Sequence, residues 1–150
     1  MEFDDQKAIR IWAQTLTPVI VQQGSPKPLL IRLPFADGNR AWLKEGHRNH
    51  PTWNPKSKRW QVPVTWFDDV VTRALNRYGR VYVIQLYKRQ QKCAPVCWNA
   101  KGFHCECSCF GANHGNGQPG GAWFLVSDTF AFSSGSVEYA CRLLTSKKSN

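Results

Sequence analysis

The stretch TWFDDVVTRALNRYGRVYVIQLY (residues 65–87) contains the clearest structural pattern of the chain and decides its fold. Thr65 at the N-cap with Asp68 three residues later forms a variant of the capping box, and Gly79 is placed to end a helix. The segment 80–87 alternates and is rich in β-formers, so it predicts a strand. The period of about 3.6 residues predicts a helix over 65–78 with one buried face, formed by Phe67, Val70, Val71, Ala74, Leu75 and Tyr78.

Outward from this stretch, the sequence predicts further strands and a short N-terminal helix. That helix has Ile9, Ile11, Trp12 and Leu16 on its apolar side. A strand is predicted over 29–35 and a hairpin over 51–64. The predicted fold class is therefore α+β, a small antiparallel sheet with one main capped helix (65–78) and a zinc-stapled Cys-rich loop. We divide the single domain of 150 residues into a helix and turn (1–28), a basic ββα-type part (29–92), a Cys/Gly-rich metal-binding segment (93–121) and C-terminal strands (122–145).

The charge of the chain is strongly positive and unevenly distributed. The formal net charge is +10, and twelve lysines and arginines lie between Gly38 and Lys92 against three acidic residues. Such a cluster favours a polyanionic partner, because cations that neutralise phosphates release bound counterions. The candidate nucleic-acid-binding residues are Arg40, Lys44, Arg48, Lys56, Lys58, Arg59, Arg73, Arg77, Lys88 and Arg89.

Tryptophans are interleaved with these cations, at Trp42, Trp53, Trp60 and Trp66. Two interpretations stay open for each ring: a place in the core, or an exposed face that stacks on an unpaired base. The tip of the predicted hairpin carries Lys56, Lys58 and Arg59, and a tip has no core for these side chains to pack against. Its cations are therefore either solvated or in contact with phosphate.

The hairpin carries a resemblance to a known family. The segment WNPKSKRWQVPVTWFDDVV (residues 53–71) follows an aromatic-Asn-Pro-x-x-Lys-x-Trp-x-hydrophobic-Pro pattern that leads into a helix. It resembles the HARP domain of annealing helicases, over about residues 30–86. The resemblance implies a DNA-binding module, and the positions that match are Trp53, Asn54, Pro55, Lys58, Trp60 and Pro63. It does not imply strand annealing, because the chain contains no helicase motor.

Five of the six cysteines lie within the segment KCAPVCWNAKGFHCECSCFGANHG (residues 92–115). Thiolate and imidazole are the ligands that Zn²⁺ prefers, and a structural zinc site needs four of them in a tetrahedron. The candidate metal ligands are Cys93, Cys97, Cys105, Cys107, Cys109 and His114, with zinc as the cofactor. An iron–sulfur cluster held by four thiolates is the alternative.

The spacing of the last three cysteines limits how they act together. Side chains two residues apart on a strand share a face but lie more than about 6 Å apart, by the rise of a strand. Two sulfurs on one zinc lie only about 3.7 Å apart, given bonds of about 2.3 Å. Cys105, Cys107 and Cys109 therefore bind one metal only if the backbone turns or one of them stays out. We expect the ligand set to combine Cys93 and Cys97 with two or more of Cys105, Cys107, Cys109 and His114. We expect the remaining Cys141 to be a buried free thiol in a strand.

Signatures of other function classes are missing from the sequence. There is no P-loop, no G-x-S-x-G, no apolar secretory leader and no apolar run of about 20 residues. We expect a cytoplasmic, non-enzymatic nucleic-acid-binding protein, with DNA favoured over RNA, acting alone or in a larger nucleoprotein complex. One alternative is a metal-dependent nuclease or hydrolase that uses His114, Glu106 or the pair His47 and His50. The other is a protein-interaction module that binds through its tryptophans.

Overall fold

The computed structural model of the chain describes residues 5–24, 26–86 and 124–146. These residues form an α+β fold, as the sequence predicts, with a mixed sheet and few helices. The strands are β1 (Val19–Gln22), β2 (Leu29–Arg32), β3 (Thr52–Asn54), β4 (Arg59–Val62), β5 (Arg80–Leu86), β6 (Phe124–Ser134) and β7 (Val137–Ser146). The helices are α1 (Gln6–Ala13), α2 (Asn39–Lys44), a 3-10 turn (Val64–Trp66) and α3 (Phe67–Tyr78).

The seven described strands form one sheet in the order β3-β4-β2-β1-β5-β7-β6. All neighbours are antiparallel except β1 and β5, which pair in parallel with Val19 opposite Tyr82 and Gln22 opposite Gln85. The sequence predicts a small antiparallel sheet, and the parallel pair makes the sheet mixed instead. The cause is the connection through α3, since parallel neighbours need a crossover rather than a hairpin.

Each face of the sheet carries an apolar cluster. On one face, the buried side of α3 packs on Ile20, Ile31, Val81 and Val83. On the other, Ala8 and Ile11 of α1 pack near Val19, Ile84, Phe132 and Tyr139. A buried polar chain links the central strands on the α3 face, where Gln85 donates to Gln22 (2.9 Å) and Arg142 donates to Gln85.

The main helix begins later than the sequence predicts. Thr65 lies in the 3-10 turn, where the N–H of Trp66 donates to the carbonyl of Pro63 (3.0 Å), and no side chain caps α3 at Phe67. The predicted Thr65 cap is therefore wrong, because the chain tightens into a 3-10 turn directly after proline. The predicted end is confirmed: Gly79 adopts φ +82°, and its N–H donates to the carbonyl of Leu75 (2.9 Å).

The N-terminal helix is shorter than its apolar pattern indicates. Asp5 caps it by accepting from the N–H of Ala8 (3.0 Å), and α1 ends at Ala13. Ile11 is buried, but Ile9 is 40% exposed and Leu16, which lies beyond the helix, is 86% exposed. The prediction that these two residues belong to the packed face is wrong.

The predicted hairpin is confirmed as β3 and β4, at one edge of the sheet. Asn54 shapes its turn, because Oδ1 accepts from the N–H groups of Lys56 (3.0 Å) and Ser57 (3.2 Å). Lys58 has a left-handed backbone, with φ +54°. The two strands place Trp53 directly opposite Trp60. The turn and its cations therefore project from the end of the sheet.

Candidate nucleic-acid interface

A groove of about 670 Å³ lies at the end of the sheet where β1 begins, β2 ends and the β3–β4 hairpin turns. We call it the hairpin groove and define it by six of its wall residues: Arg32, Phe35, Arg40, Trp53, Lys58 and Trp60. Three cations and three aromatic rings line it, together with the carboxylate of Asp37. Ligand sites in proteins have volumes of this size.

The two hairpin tryptophans form one wall of the groove. Their ring centroids lie 4.9 Å apart, with the planes tilted by 54°. The guanidinium of Arg40 lies over the ring of Trp60 at 5.1 Å, and its Nη1 donates to the carbonyl of Pro51 (3.0 Å). Trp60 is thus half-buried between two side chains, whereas Trp53 remains 40% exposed.

Arg32 contributes a cation that the charge pattern of the sequence did not single out. It directly follows the buried Leu29–Ile31 run of β2, donates to the carbonyl of Trp12 and lies over the Trp12 ring at 5.1 Å. Burial lowers the pKa of Arg32, and the positive charge of nearby Arg59 lowers it further. Since guanidinium keeps its proton at neutral pH, the two like charges favour a bound anion. The feature of the sequence that could have identified Arg32 is a charged residue directly after a run of three apolar strand residues.

The ten cations predicted to bind nucleic acid fall into separate groups. Arg40 and Lys58 line the hairpin groove, and Lys56 and Arg59 lie on the same hairpin. Lys44 ends α2, and the exposed Arg48 follows it in the chain. The remaining pairs are Arg73 and Arg77, which lie on α3, and Lys88 and Arg89, which lie outside the described residues.

Arg73 is occupied by contacts within the protein. It donates to Asp69 through Nε (3.0 Å), to the carbonyl of Leu43 (3.0 Å) and to the carbonyl of Trp42. Its guanidinium also lies over the Trp42 ring at 4.9 Å, and that of Arg77 lies over the same ring at 5.0 Å. These contacts join the end of α2 to α3, so the role of Arg73 in the structure is to position α2.

His47, one of the histidines considered for nuclease chemistry, belongs to the same network. Its ring stacks on Trp66 with centroids 3.8 Å apart and planes inclined by 15°. Its Nε2 lies 2.8 Å from Oδ2 of Asp69. His50 is exposed, and within 5–24, 26–86 and 124–146 no group of three potential ligands is arranged to hold a metal ion. The described contacts of His47 fasten the loop after α2 to α3.

The predicted metal ligands cannot be placed. Cys93, Cys97, Cys105, Cys107, Cys109 and His114 all lie outside the described residues, as does Glu106. β5 ends at Leu86 and β6 begins at Phe124, so the Cys-rich segment lies between these two strands in the sequence. Cys141 is fully buried in β7, which confirms the predicted burial in a strand.

Comparisons with known proteins assign no family to the chain. No family model matches it, and neither a curated protein nor a solved structure is significantly similar to it. The resemblance of residues 53–71 to HARP domains therefore stays a hypothesis. Among the helices that the structure describes, none is long and apolar enough to span a membrane.

The Asp69 network predicts a specific loss of stability in acid. Partial burial raises the pKa of Asp69, but hydrogen bonds and charge from His47 and Arg73 outweigh it, so this pKa lies below the ordinary 3.8. The contribution of the carboxylate is complete above about pH 3.8 and is lost as the pH falls through the folded-state pKa. We expect Asp69→Asn to lower the free energy of unfolding at neutral pH by at most about 1 kcal/mol, because the side chain is 45% exposed.

Denaturant unfolding of the wild type and of Asp69→Asn across this pH range tests the expectation. The variant should approach wild-type stability as Asp69 protonates. Glu45→Gln is the matched control, since Glu45 is an exposed carboxylate that is not among the described contacts of the Asp69 network. Equal acid profiles for both variants would show that the network does not stabilise the protein.

Proposed function

We propose that the chain is a zinc-containing nucleic-acid-binding protein without enzymatic activity, and that it grips phosphates through the basic face around the hairpin groove. DNA is favoured over RNA, on the resemblance of the hairpin to HARP domains. The protein acts alone or within a larger nucleoprotein complex. The proposal rests above all on one observation, the convergence of Arg32, Arg40 and Lys58 on a single groove with exposed aromatic surface.

The electrostatics of the hairpin support a polyanionic ligand. Lys56 and Lys58 are exposed, and no ion pair involves either of them within the described part of the chain. Arg59 lies close enough to Arg32 to disfavour its positive charge. A phosphate would relieve the repulsion between these neighbouring positive charges, and its binding also releases counterions.

The zinc site belongs to the same proposal, as a structural element beside the basic face. Four of the six Cys and His groups at 93–114 would hold the metal as thiolates and neutral imidazole. We place the protein in the reducing cytoplasm, where clustered thiols bind metals rather than form disulfides. In this proposal zinc supplies folding energy to the segment and takes no part in chemistry.

Removing single lysines tests the phosphate contacts. We expect Lys56→Gln and Lys58→Gln each to weaken binding of a DNA oligonucleotide several-fold and to lower the salt slope by about 1, the loss of one phosphate contact. The measurement is fluorescence anisotropy at about 50 and about 200 mM salt, concentrations between which phosphate-driven binding falls steeply.

Lys27→Gln is the matched control. Lys27 is an exposed lysine in the β1–β2 turn, at the opposite end of the sheet from the hairpin groove. It removes the same charge without removing a groove contact, so its salt slope should equal that of the wild type. Equal slopes for all three variants would place the contacts elsewhere, and no binding of the wild type at low salt would exclude the proposed function.

Elemental analysis tests the zinc site. We expect about one zinc per chain in the purified protein, lost in Cys97→Ser and retained in Cys141→Ala, because Cys141 is buried in β7, away from the cysteine cluster in the sequence. Iron in place of zinc would favour the iron–sulfur alternative. Less than half a zinc per chain, with no iron, would exclude the metal site.

A further inference from the structure

Trp53 occupies an unusual position for so large an apolar side chain. It lies on β3, the edge strand of the sheet, and is 40% exposed. It lines the hairpin groove and also a smaller hollow of about 290 Å³ that includes Lys56. Trp53 is therefore shared by two hollows, each with a lysine on its wall.

The neighbouring rings differ in how much of their surface is free. Trp60 is half-buried because Trp53 and Arg40 contact it from within the protein. Phe35 is 92% exposed and lines the same groove as Trp53. Two exposed rings thus lie in one groove whose walls also carry Arg32, Arg40 and Lys58. Exposing aromatic surface to water costs free energy, and this free energy is recovered when a flat ligand covers the ring.

We propose that the hairpin groove binds single-stranded nucleic acid, with an unpaired base stacked on Trp53 and a second aromatic contact at Phe35. The groove cations contact the flanking phosphates. This inference rests on the proposed function and specifies its substrate class. Aromatic rings combined with a positively charged groove are how proteins hold single strands without reading their sequence.

A duplex does not account for the same features. In a duplex the faces of the bases are covered by their neighbours, so exposed rings in the groove would find no base to stack on. Phosphate contacts alone require cations but no aromatic surface. An acidic protein would satisfy the cations with carboxylates and would not depend on nucleobases, so a strand with bases and one without them distinguish the two ligands. Stacking is therefore the property that separates the single strand from the other anionic ligands.

Binding to three matched probes tests the proposal: an oligothymidylate of about 12 nucleotides, a duplex of that length and an oligonucleotide of that length without bases. We expect the wild type to bind the ordinary single strand most tightly. Trp53→Leu should weaken that binding by about 5- to 150-fold, the effect of losing one stacked base, and leave binding to the base-free strand and the duplex unchanged. Trp53→Phe should restore most of the loss.

Phe35→Ala tests the same groove without disturbing the hairpin, because Phe35 is almost fully exposed, whereas Trp53 packs against Trp60. It should weaken single-strand binding selectively. Its matched control is Leu125→Ala, which removes another exposed apolar side chain, on β6 at the far edge of the sheet.

The outcomes separate the inference from the proposed function. Equal binding of all three probes, insensitive to Trp53→Leu and Phe35→Ala but still dependent on Lys56 and Lys58, would overturn the stacking proposal and leave the phosphate contacts standing. Competition by polyglutamate as effective as that by the single strand would also overturn it. No binding of any probe at low salt would exclude the proposed function itself.

Discussion

The packing of α3 against the sheet is the constraint on which the rest of the structure depends. Its buried residues, from Phe67 to Leu75, cover Ile20 and Ile31 of the N-terminal strands and also Val81 and Val83 of β5. This packing allows the chain to cross the sheet and lay β5 parallel to β1. Without that crossover the strands before α3 and those after it would have no shared core. The hairpin groove exists because β1 begins, β2 ends and the β3–β4 hairpin turns at the same end of this sheet.

The cations of the basic half are of two kinds: some are bound within the protein and others are exposed at the hairpin. On α3, Arg73 is bound to Asp69 and to two carbonyls of α2, and His47 completes the network by stacking on Trp66. These charges are used to hold the protein together. At the hairpin, Lys56 and Lys58 are exposed. A high net charge alone does not distinguish the two kinds.

The sequence predicts the elements well where a local pattern sets them. Gly79 ends α3 through its own left-handed backbone conformation. Asn54 shapes the hairpin turn by accepting hydrogen bonds from N–H groups two and three residues further on. The prediction fails where a competing local turn or a distant contact decides the structure. Thr65 has the residue type of a cap but lies in a 3-10 turn after Pro63, and the parallel pairing of β1 with β5 depends on an arrangement that no single segment encodes.

The candidate site was likewise predicted from the sequence only in part. Lys58 and Arg40 are found by charge, but Arg32 joins them only because β2 ends beside the hairpin. The sequence also leaves open whether each tryptophan is core or surface, and the structure separates the buried Trp66 from the exposed Trp53. For the Cys-rich segment, spacing restricts the ligand sets without selecting one, and its residues lie outside those that the structure describes.

The central claim is that the hairpin groove is where the ligand binds, and hydrogen exchange of the backbone amides tests it most directly. The exchange of the protein is compared with and without a saturating single-stranded oligonucleotide. Our account predicts added protection at residues 32–40 and 52–60, with little change across α3. Protection confined to α3 and the loop after α2, with none at the hairpin, would contradict it.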